Sequence, residues 1–315
     1  MNQSTGNLPK SVTVQSPASV ANLVCGFDVL GMSLSNPYDL MKVERTDATG
    51  ITIRHTDEYQ LPTAPEQNVA GAALLALLHE YARPAGFDIT ITKCIKPGSG
   101  LGSSAASAAG MVVAANHLLG APFGKEDLVR FAMAGEKVAS GVKHADNIAP
   151  CIYGGITLIR SIFPLDIVTL PAPRLFVVAV HPQIEVKTSD ARQILRKEVL
   201  LKDAIKQWGN IAGLVAGLLK NDYSLIGRSL EDVIIEPVRS MLIPGFAEVK
   251  KGSKEAGALG GGISGSGPSI FMLCEQEGIA HEVEKVMQEV FNQIGIAYHT
   301  HVTTVNPTGV TIVDG

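Results

Sequence analysis

The stretch IKPGSGLGSSAASAAG, residues 95–110, sets four glycines and five serines or prolines ahead of and among a run of alanines. Glycine reaches positive φ without a Cβ penalty and lets backbone N–H groups approach a ligand. The helix that follows adds its unpaired N–H groups and the positive end of its dipole. Such a loop suits an anion, phosphate first among them. Neither familiar phosphate fingerprint fits. A P-loop needs a lysine after its second glycine, where this chain has Ser103 and Ser104. A Rossmann turn needs G-x-G-x-x-G, and Gly98 to Ser103 is one residue out of step. By itself, a glycine-rich turn before an alanine-rich helix is common and not specific.

The rest of the chain narrows the partners. At 315 residues, with 46% hydrophobic and 18% charged residues, it is long enough for two domains or one large one and apolar enough to pack. A net charge of −4, with no basic run and no aromatic–basic interleaving, excludes nucleic acid as an expected partner. Cys25, Cys94, Cys151 and Cys274 are scattered, with neither a CxxC pair nor a zinc spacing, and suit a reducing cytoplasm. Apolar runs such as LFVVAV (175–180) fall far short of the roughly 18 residues that span a bilayer, so a soluble, cytoplasmic protein is expected.

Along the chain, SVTVQSPAS reads as a strand closing at Pro17, and MKVERT and GITIRHT alternate like half-buried strands parted at residues 47–50. Residues 68–81 carry apolar side chains at helical spacing, and FDITITKCI returns to strand alternation before running into the glycine loop. A helix is expected over 103–119, its alanines admitting close neighbours, and a second over about 125–140. Three prolines in SIFPLDIVTLPAPRL place a boundary near 164–173, giving units 1–168 and 169–315. The second unit opens with the strand LFVVAV, passes through helices over 189–220, and reaches another glycine loop, GALGGGISGSGPSIF. There Gly260, Gly262 and Gly265 satisfy G-x-G-x-x-G. A helical pattern precedes them and a strand follows, the reverse of dinucleotide-binding order, so that match counts for little.

Three separated segments taken together are specific. Residues 95–106 resemble the ATP signature of the GHMP small-molecule kinases, a P-x-x-x-G-L-G-S-S-A-like loop, while 16–31 and 260–271 are similar to that family's first and third motifs. Within the family, PASVANLVCGFDVLG resembles the homoserine kinases and not the G-E-H-containing galactokinases and mevalonate kinases. KHADNIAPCIYGG and EPVRSMLIPGF agree. The resemblance runs from about Ser11 to the C-terminus and is weakest over 160–192. It implies an α+β fold with an N-terminal unit like the second domain of ribosomal protein S5, a C-terminal ferredoxin-like unit, and the active site between them. It also implies ATP, Mg2+ and phosphorylation of the side-chain hydroxyl of L-homoserine in threonine biosynthesis, as well as a homodimer.

On that resemblance the ATP phosphates are cradled by Pro97, Gly98, Ser99, Gly100, Leu101, Gly102, Ser103, Ser104, Ala105 and Ala106, with Gly262 and Gly265 from the third motif. Mg2+ keeps several waters and needs few protein oxygens; the implied ones are Ser104 and Glu136. Read alone, Glu136 in AGEKVASG is a surface carboxylate beside Lys137. Its small neighbours Ala132, Ala134, Gly135 and Ala139 allow the close packing that an inward carboxylate requires. Homoserine is a zwitterion bearing a hydroxyl, and Arg192 and Arg239 can grip its carboxylate bidentately. The resemblance adds Asn22, Asp28, His144, Asp146 and Asn147 around the substrate. Alone, each arginine reads as a surface residue and the histidine as structural. Asp28 is expected to accept a hydrogen bond from the reacting hydroxyl. Asn147 stands where the galactokinase- and mevalonate kinase-like relatives have an aspartate, and an amide is no base at neutral pH. With Glu136 these are the expected catalytic residues. A loose phosphoryl-transfer transition state needs alignment and charge neutralisation more than a strong base.

Two rival readings stay open in the sequence. One is a family member acting on a different small alcohol, favoured if Arg192 and Arg239 lie away from the cleft. The other is a catalytically silent nucleotide-binding sensor, which retention of Ser104, Glu136 and the third glycine loop together disfavours.

Overall fold

The structure, a computed structural model, describes residues 8–314. The chain opens with β1 (Ser11–Ala21), β2 (Leu30–Thr46) and β3 (Gly50–His55), then α1 (Val69–Tyr81) and β4 (Gly86–Thr92). Three helices follow the glycine loop: α2 (Ser103–Leu118), α3 (Lys125–Ser140) and the short α4 (Ile148–Tyr153). The hairpin β5 (Ile156–Ile162) and β6 (Leu165–Leu170) leads to β7 (Phe176–Pro182). Next come α5 (Thr188–Gln193), α6 (Leu201–Lys220), α7 (Tyr223–Ser229), α8 (Glu236–Arg239) and α9 (Phe246–Glu255). The chain ends with β8 (Gly260–Ile263), β9 (Ile270–Cys274), α10 (Glu277–Ile294), β10 (Tyr298–Thr304) and β11 (Thr311–Asp314).

The first strand does not close at Pro17 as the proline suggests. It continues to Ala21, because the pairing with β2 shifts register between Pro17 and Ser19, where the missing N–H is tolerated. β2 is long enough to serve two partners. Its C-terminal part lies between β1 and β4, while Leu30–Met32 pairs with β5. The resulting seven-stranded sheet runs β11-β1-β2-β4-β3, with the β5–β6 hairpin joined to β2. The expected division at 168/169 falls inside β6, and β11 carries the end of the chain back to the first sheet.

The second sheet is antiparallel, in the order β10-β7-β9-β8. With helices before β8 and α10 after β9, that is the strand order of the expected ferredoxin-like unit. β7 explains its own sequence: Val177 and Ala179 join the core shared with β1, β2 and α6, and Phe176, Val178 and Val180 face α9 and α10. A strand buried on both faces reads as an unbroken apolar run. Among the described residues no helix is long and apolar enough to cross a membrane.

α2 is the internal axis of the first unit. Gly135 of α3 comes so close that an added Cβ would sit 2.3 Å from Val69 O and 3.2 Å from Ala108 Cβ. Small residues thus bring α3 onto α1 and α2, as the alanines suggest, and set the depth at which Glu136 lies. α1 starts where Asn68 Oδ1 accepts from Ala70 N (2.9 Å) and Gly71 N (3.1 Å), an N-cap at the first residue of the expected helix.

Candidate active site

The glycine loop connects β4 to α2, as its flanking patterns require. Gly98, Gly100 and Gly102 all have positive φ, at 74°, 85° and 69°. Gly102 is the N-cap of α2 and no side chain caps that helix, so the N–H groups of its first turn are available to an anion. The third glycine motif packs directly on this loop. A Cβ at Gly100 would lie 2.7 Å from Ser264 O and from Gly267 O, and one at Gly102 would lie 2.0 Å from Ser19 Oγ. Ser264 Oγ donates to Gly100 O at 2.7 Å, and Ser269 N donates to Ser99 O at 3.2 Å.

Pro97, Gly98, Gly100, Gly102, Ser103, Ser104 and Gly265 line a cavity of about 410 Å³. Ser99, Leu101, Ala105 and Ala106 are buried and shape the loop from behind. Gly262 lies in β8, where an added Cβ would meet Glu236 Oε2 at 2.4 Å, and is not in the cavity wall.

At the start of α2, Ser104 Oγ donates to Glu136 Oε2 at 2.8 Å, and both residues line the cavity. Neighbouring ligands about Mg2+, with bonds of about 2.0–2.1 Å at right angles, stand roughly 2.9 Å apart. The two oxygens therefore fit adjacent positions in such a shell, and their hard, anionic or hydroxyl character suits that ion.

Another part of the cavity wall is built around residues 22–28. Asn22, Leu23, Val24 and Asp28 all have positive φ, which is uncommon outside glycine and unfavourable for β-branched Val24. Asn22 braces this turn: its Oδ1 accepts from Asp28 N (3.1 Å) and its Nδ2 donates to Gly265 O (2.9 Å). Arg192 Nη2 donates to Asp28 Oδ2 at 2.6 Å, and His144 Nδ1 is 3.5 Å from Asp28 Oδ1. Burial pulls the His144 pKa below its ordinary value; Asp28 opposes that pull and the two arginines add to it.

Arg239 is 4% exposed, donating from Nε to Ala191 O and from Nη1 to Gly265 O, both at 3.0 Å. Phe27 lies under both guanidinium groups, 4.9 Å from that of Arg239 and 5.6 Å from that of Arg192. Asp146 is buried, and burial, then Asp28 and Glu136, push its pKa up to about 7. Asn147 Oδ1 accepts from Ser19 Oγ at 2.8 Å and faces Gly102, within 3.1 Å of where a Cβ would stand. Asn147 therefore sits against the glycine loop and Asp28 against Arg192.

Sequence reasoning missed Lys93 and Asp39, which meet behind the loop. The signal was present in the strand alternation: Lys93 continues the buried series Phe87, Ile89, Ile91, and Asp39 shares a face with Met41 and Val43. A charge on an inward strand face requires a partner. Phe27 and Ser19 were also not singled out.

These two glycine loops, an oxygen pair and a charged pocket define a small-molecule phosphotransferase site. The chain matches the GHMP kinases N terminal domain over residues 68–155 and the GHMP kinases C terminal domain over 214–293. It belongs to the GHMP kinase family. A relative from Chloroherpeton thalassium named homoserine kinase is 48% identical over 298 residues, covering 90% of this chain and 93% of that one. Another of the same name from Methanococcus maripaludis is 43% identical over 286 residues, covering 90% and 94%. A crystal structure of homoserine kinase from Cytophaga hutchinsonii superposes with a TM-score of 0.94 at 47% identity, covering 99% of this chain and 100% of that one.

Proposed function

We propose that this chain transfers the γ-phosphoryl group of ATP to the side-chain hydroxyl of L-homoserine, giving O-phospho-L-homoserine for threonine biosynthesis. The observation that carries the reading is the Asp28–Arg192 pair, with Arg239 beside it, in the cavity that the glycine loop also lines. An anion paired with a cation in the cavity wall can exchange that contact for the ammonium and carboxylate of an amino acid. A sugar or an isoprenoid alcohol offers no such exchange. The relatives named homoserine kinase support the same reading.

In this mechanism the loop N–H groups and the first turn of α2 hold the triphosphate. Arg192 and Arg239 hold the substrate carboxylate; Asp28, expected from the sequence to accept from the reacting hydroxyl, is paired with Arg192 and so receives the neighbouring ammonium instead. The reacting hydroxyl then points toward Gly102, where Asn147 orients it. Its oxygen forms the new P–O bond as the bond from the γ-phosphorus to the bridging oxygen breaks and ADP leaves with that oxygen; the hydroxyl proton passes late to an oxygen of the transferred phosphoryl group, as a loose transition state allows. Mg2+, held by Ser104 and Glu136 together with nucleotide and water, would supply charge neutralisation on the phosphates. Use of free ATP and a free amino acid as substrates supports a cytoplasmic location. An ADP-release assay across L-homoserine, mevalonate, galactose and L-threonine tests the assignment: turnover should be confined to homoserine, and preference for another alcohol would overturn it.

A second copy of the chain is the proposed protein partner. Leu201, Ile205, Trp208 and Leu219 are exposed along one face of α6. With Val199 and Leu200 they form an exposed apolar patch of the kind that marks an interaction surface. Sedimentation should give a dimer for the wild type and a monomer for Trp208→Glu; a wild-type monomer would refute the partner.

A further inference from the structure

Lys93 and Asp39 form an ion pair at the back of the glycine loop, each side chain 1% exposed. Lys93 Nζ also donates to Ser103 O (2.7 Å) and Ser107 Oγ (2.9 Å), so its three donors all end on protein acceptors. No donor is left over for a phosphate, although the residue borders the cavity. Asp39 uses its second oxygen in the same economical way: Oδ1 accepts from Cys94 N (2.8 Å) and Ile95 N (2.9 Å). The entry and the exit of the loop are thereby tied to one pair of side chains. Ser103 Oγ closes the ring by donating to Ile95 O at 2.7 Å.

We propose that the Asp39–Lys93 pair is a clamp that holds the loop between residues 96 and 102 in its phosphate-binding shape, which makes both of them positioning residues for the nucleotide. A buried ion pair is a poor choice for stability alone, since well-packed neutral side chains generally do as well or better. A loop with glycine at every second position from 98 to 102 has much conformational freedom to lose when it binds. A clamp at both ends removes that freedom before the ligand arrives, and such preorganisation appears as affinity. The register agrees: Leu40 lies opposite Thr92, which brings Asp39 and Lys93 together at the end of the β2–β4 ladder, where the loop begins.

The inference rests on the loop holding the triphosphate and is independent of which alcohol accepts the phosphoryl group. Lys93→Met, Asp39→Asn and the double variant test it through thermal midpoint, calorimetric ADP binding with Mg2+, amide hydrogen exchange, and KM for ATP and for homoserine. Each single variant should melt lower, because it leaves buried polar groups unpaired. The double variant should recover most of the midpoint and yet bind ADP about tenfold or more weakly. Its amides over 98–104 should exchange faster than in the wild type, with KM for homoserine changed less than about twofold. A double variant that regains both the midpoint and wild-type ADP affinity would make the pair a folding element only, and the clamp would be wrong. An equal rise in both KM values would also overturn it, since the damage would not be confined to the loop. Wild type that binds ADP but does not phosphorylate homoserine sinks the acceptor assignment while the ADP and exchange data still decide the clamp; wild type with no ADP affinity sinks both.

Discussion

Arg192 Nη2 and Asp28 Oδ2 stand 2.6 Å apart, joining α5 to the turn after β1 across 164 positions of sequence. Neither side chain is fully buried, at 36% and 38% exposure, so solvent screens the pair and its worth to stability is small. In the proposed function its value lies in substrate exchange. Arg192→Leu should therefore raise KM for homoserine by roughly ten- to a hundredfold, the range expected for losing a charge-assisted hydrogen bond, with KM for ATP little changed. A cycle with Asp28→Asn should show non-additive effects on kcat/KM, since the two residues share one ligand and one contact. Additive losses would separate their roles.

Arg239 plays a different part from Arg192. Its guanidinium is buried, and it ties Ala191 of α5 and Gly265 of the third glycine motif to the same point. Arg239→Leu should then cost about 1–3 kcal/mol of stability as two carbonyls lose a charged donor, in addition to impairing homoserine use. Nucleotide affinity should fall less than homoserine affinity. Denaturant unfolding alongside steady-state kinetics checks both; an unchanged homoserine KM would remove Arg239 from the substrate site.

Asp146 carries a pH signature. Burial first, then Asp28 and Glu136, push its pKa from 3.8 up to about 7. Between about pH 4 and pH 7 the folded state therefore holds a proton that the unfolded chain has released. Stability falls as pH rises through that window and levels off above it. Asp146→Asn has no such titration and keeps an acceptor for Asn147 N, which now donates to Asp146 Oδ1 at 3.1 Å. Its stability relative to wild type should rise from pH 4 to 7 and then stay constant, as read from urea midpoints. A pH-independent difference would show that Asp146 ionises normally.

Much of this architecture was legible because it is local. The glycine loop, the α2 and α3 spans and the apolar β7 run follow from φ freedom, small-residue packing and two-sided burial, all written in short windows. Ser104 and Glu136 were reached through resemblance, and their contact depends on the spacing of two helices, which the alanines suggest but do not measure. Pro17 misled because tolerance of a proline within a strand depends on the register of its partner. The short β11 was invisible: TIVD pairs with β1 some 300 residues earlier, and nothing local records which sheet a final strand joins. Lys93 and Asp39 were legible in alternation and passed over: Lys93 follows the last residue of β4, where a charge also reads as the end of the strand, and Asp39 precedes the alternating window MKVERT.

Asn147 decides whether the transfer needs a base. Its Oδ1 accepts from Ser19 Oγ and lies against Gly102, where it can orient a hydroxyl and cannot take its proton at neutral pH. Asn147→Ala should lower turnover by roughly ten- to a hundredfold, below much of the 100- to 10,000-fold range of general bases, and leave the shape of the pH–rate profile unchanged. Glu136→Ala should lose far more, because it removes the carboxylate paired with Ser104 at the proposed metal position. Asp146 is the control, since its pKa of about 7 falls where a base would titrate. With ATP, Mg2+ and homoserine saturating across about pH 6–9, Asp146→Asn should keep turnover within about tenfold of wild type at the alkaline end. If Asp146→Asn instead loses 100-fold or more together with an acidic limb that wild type and Asn147→Ala share, Asp146 is the general base and the base-free account fails.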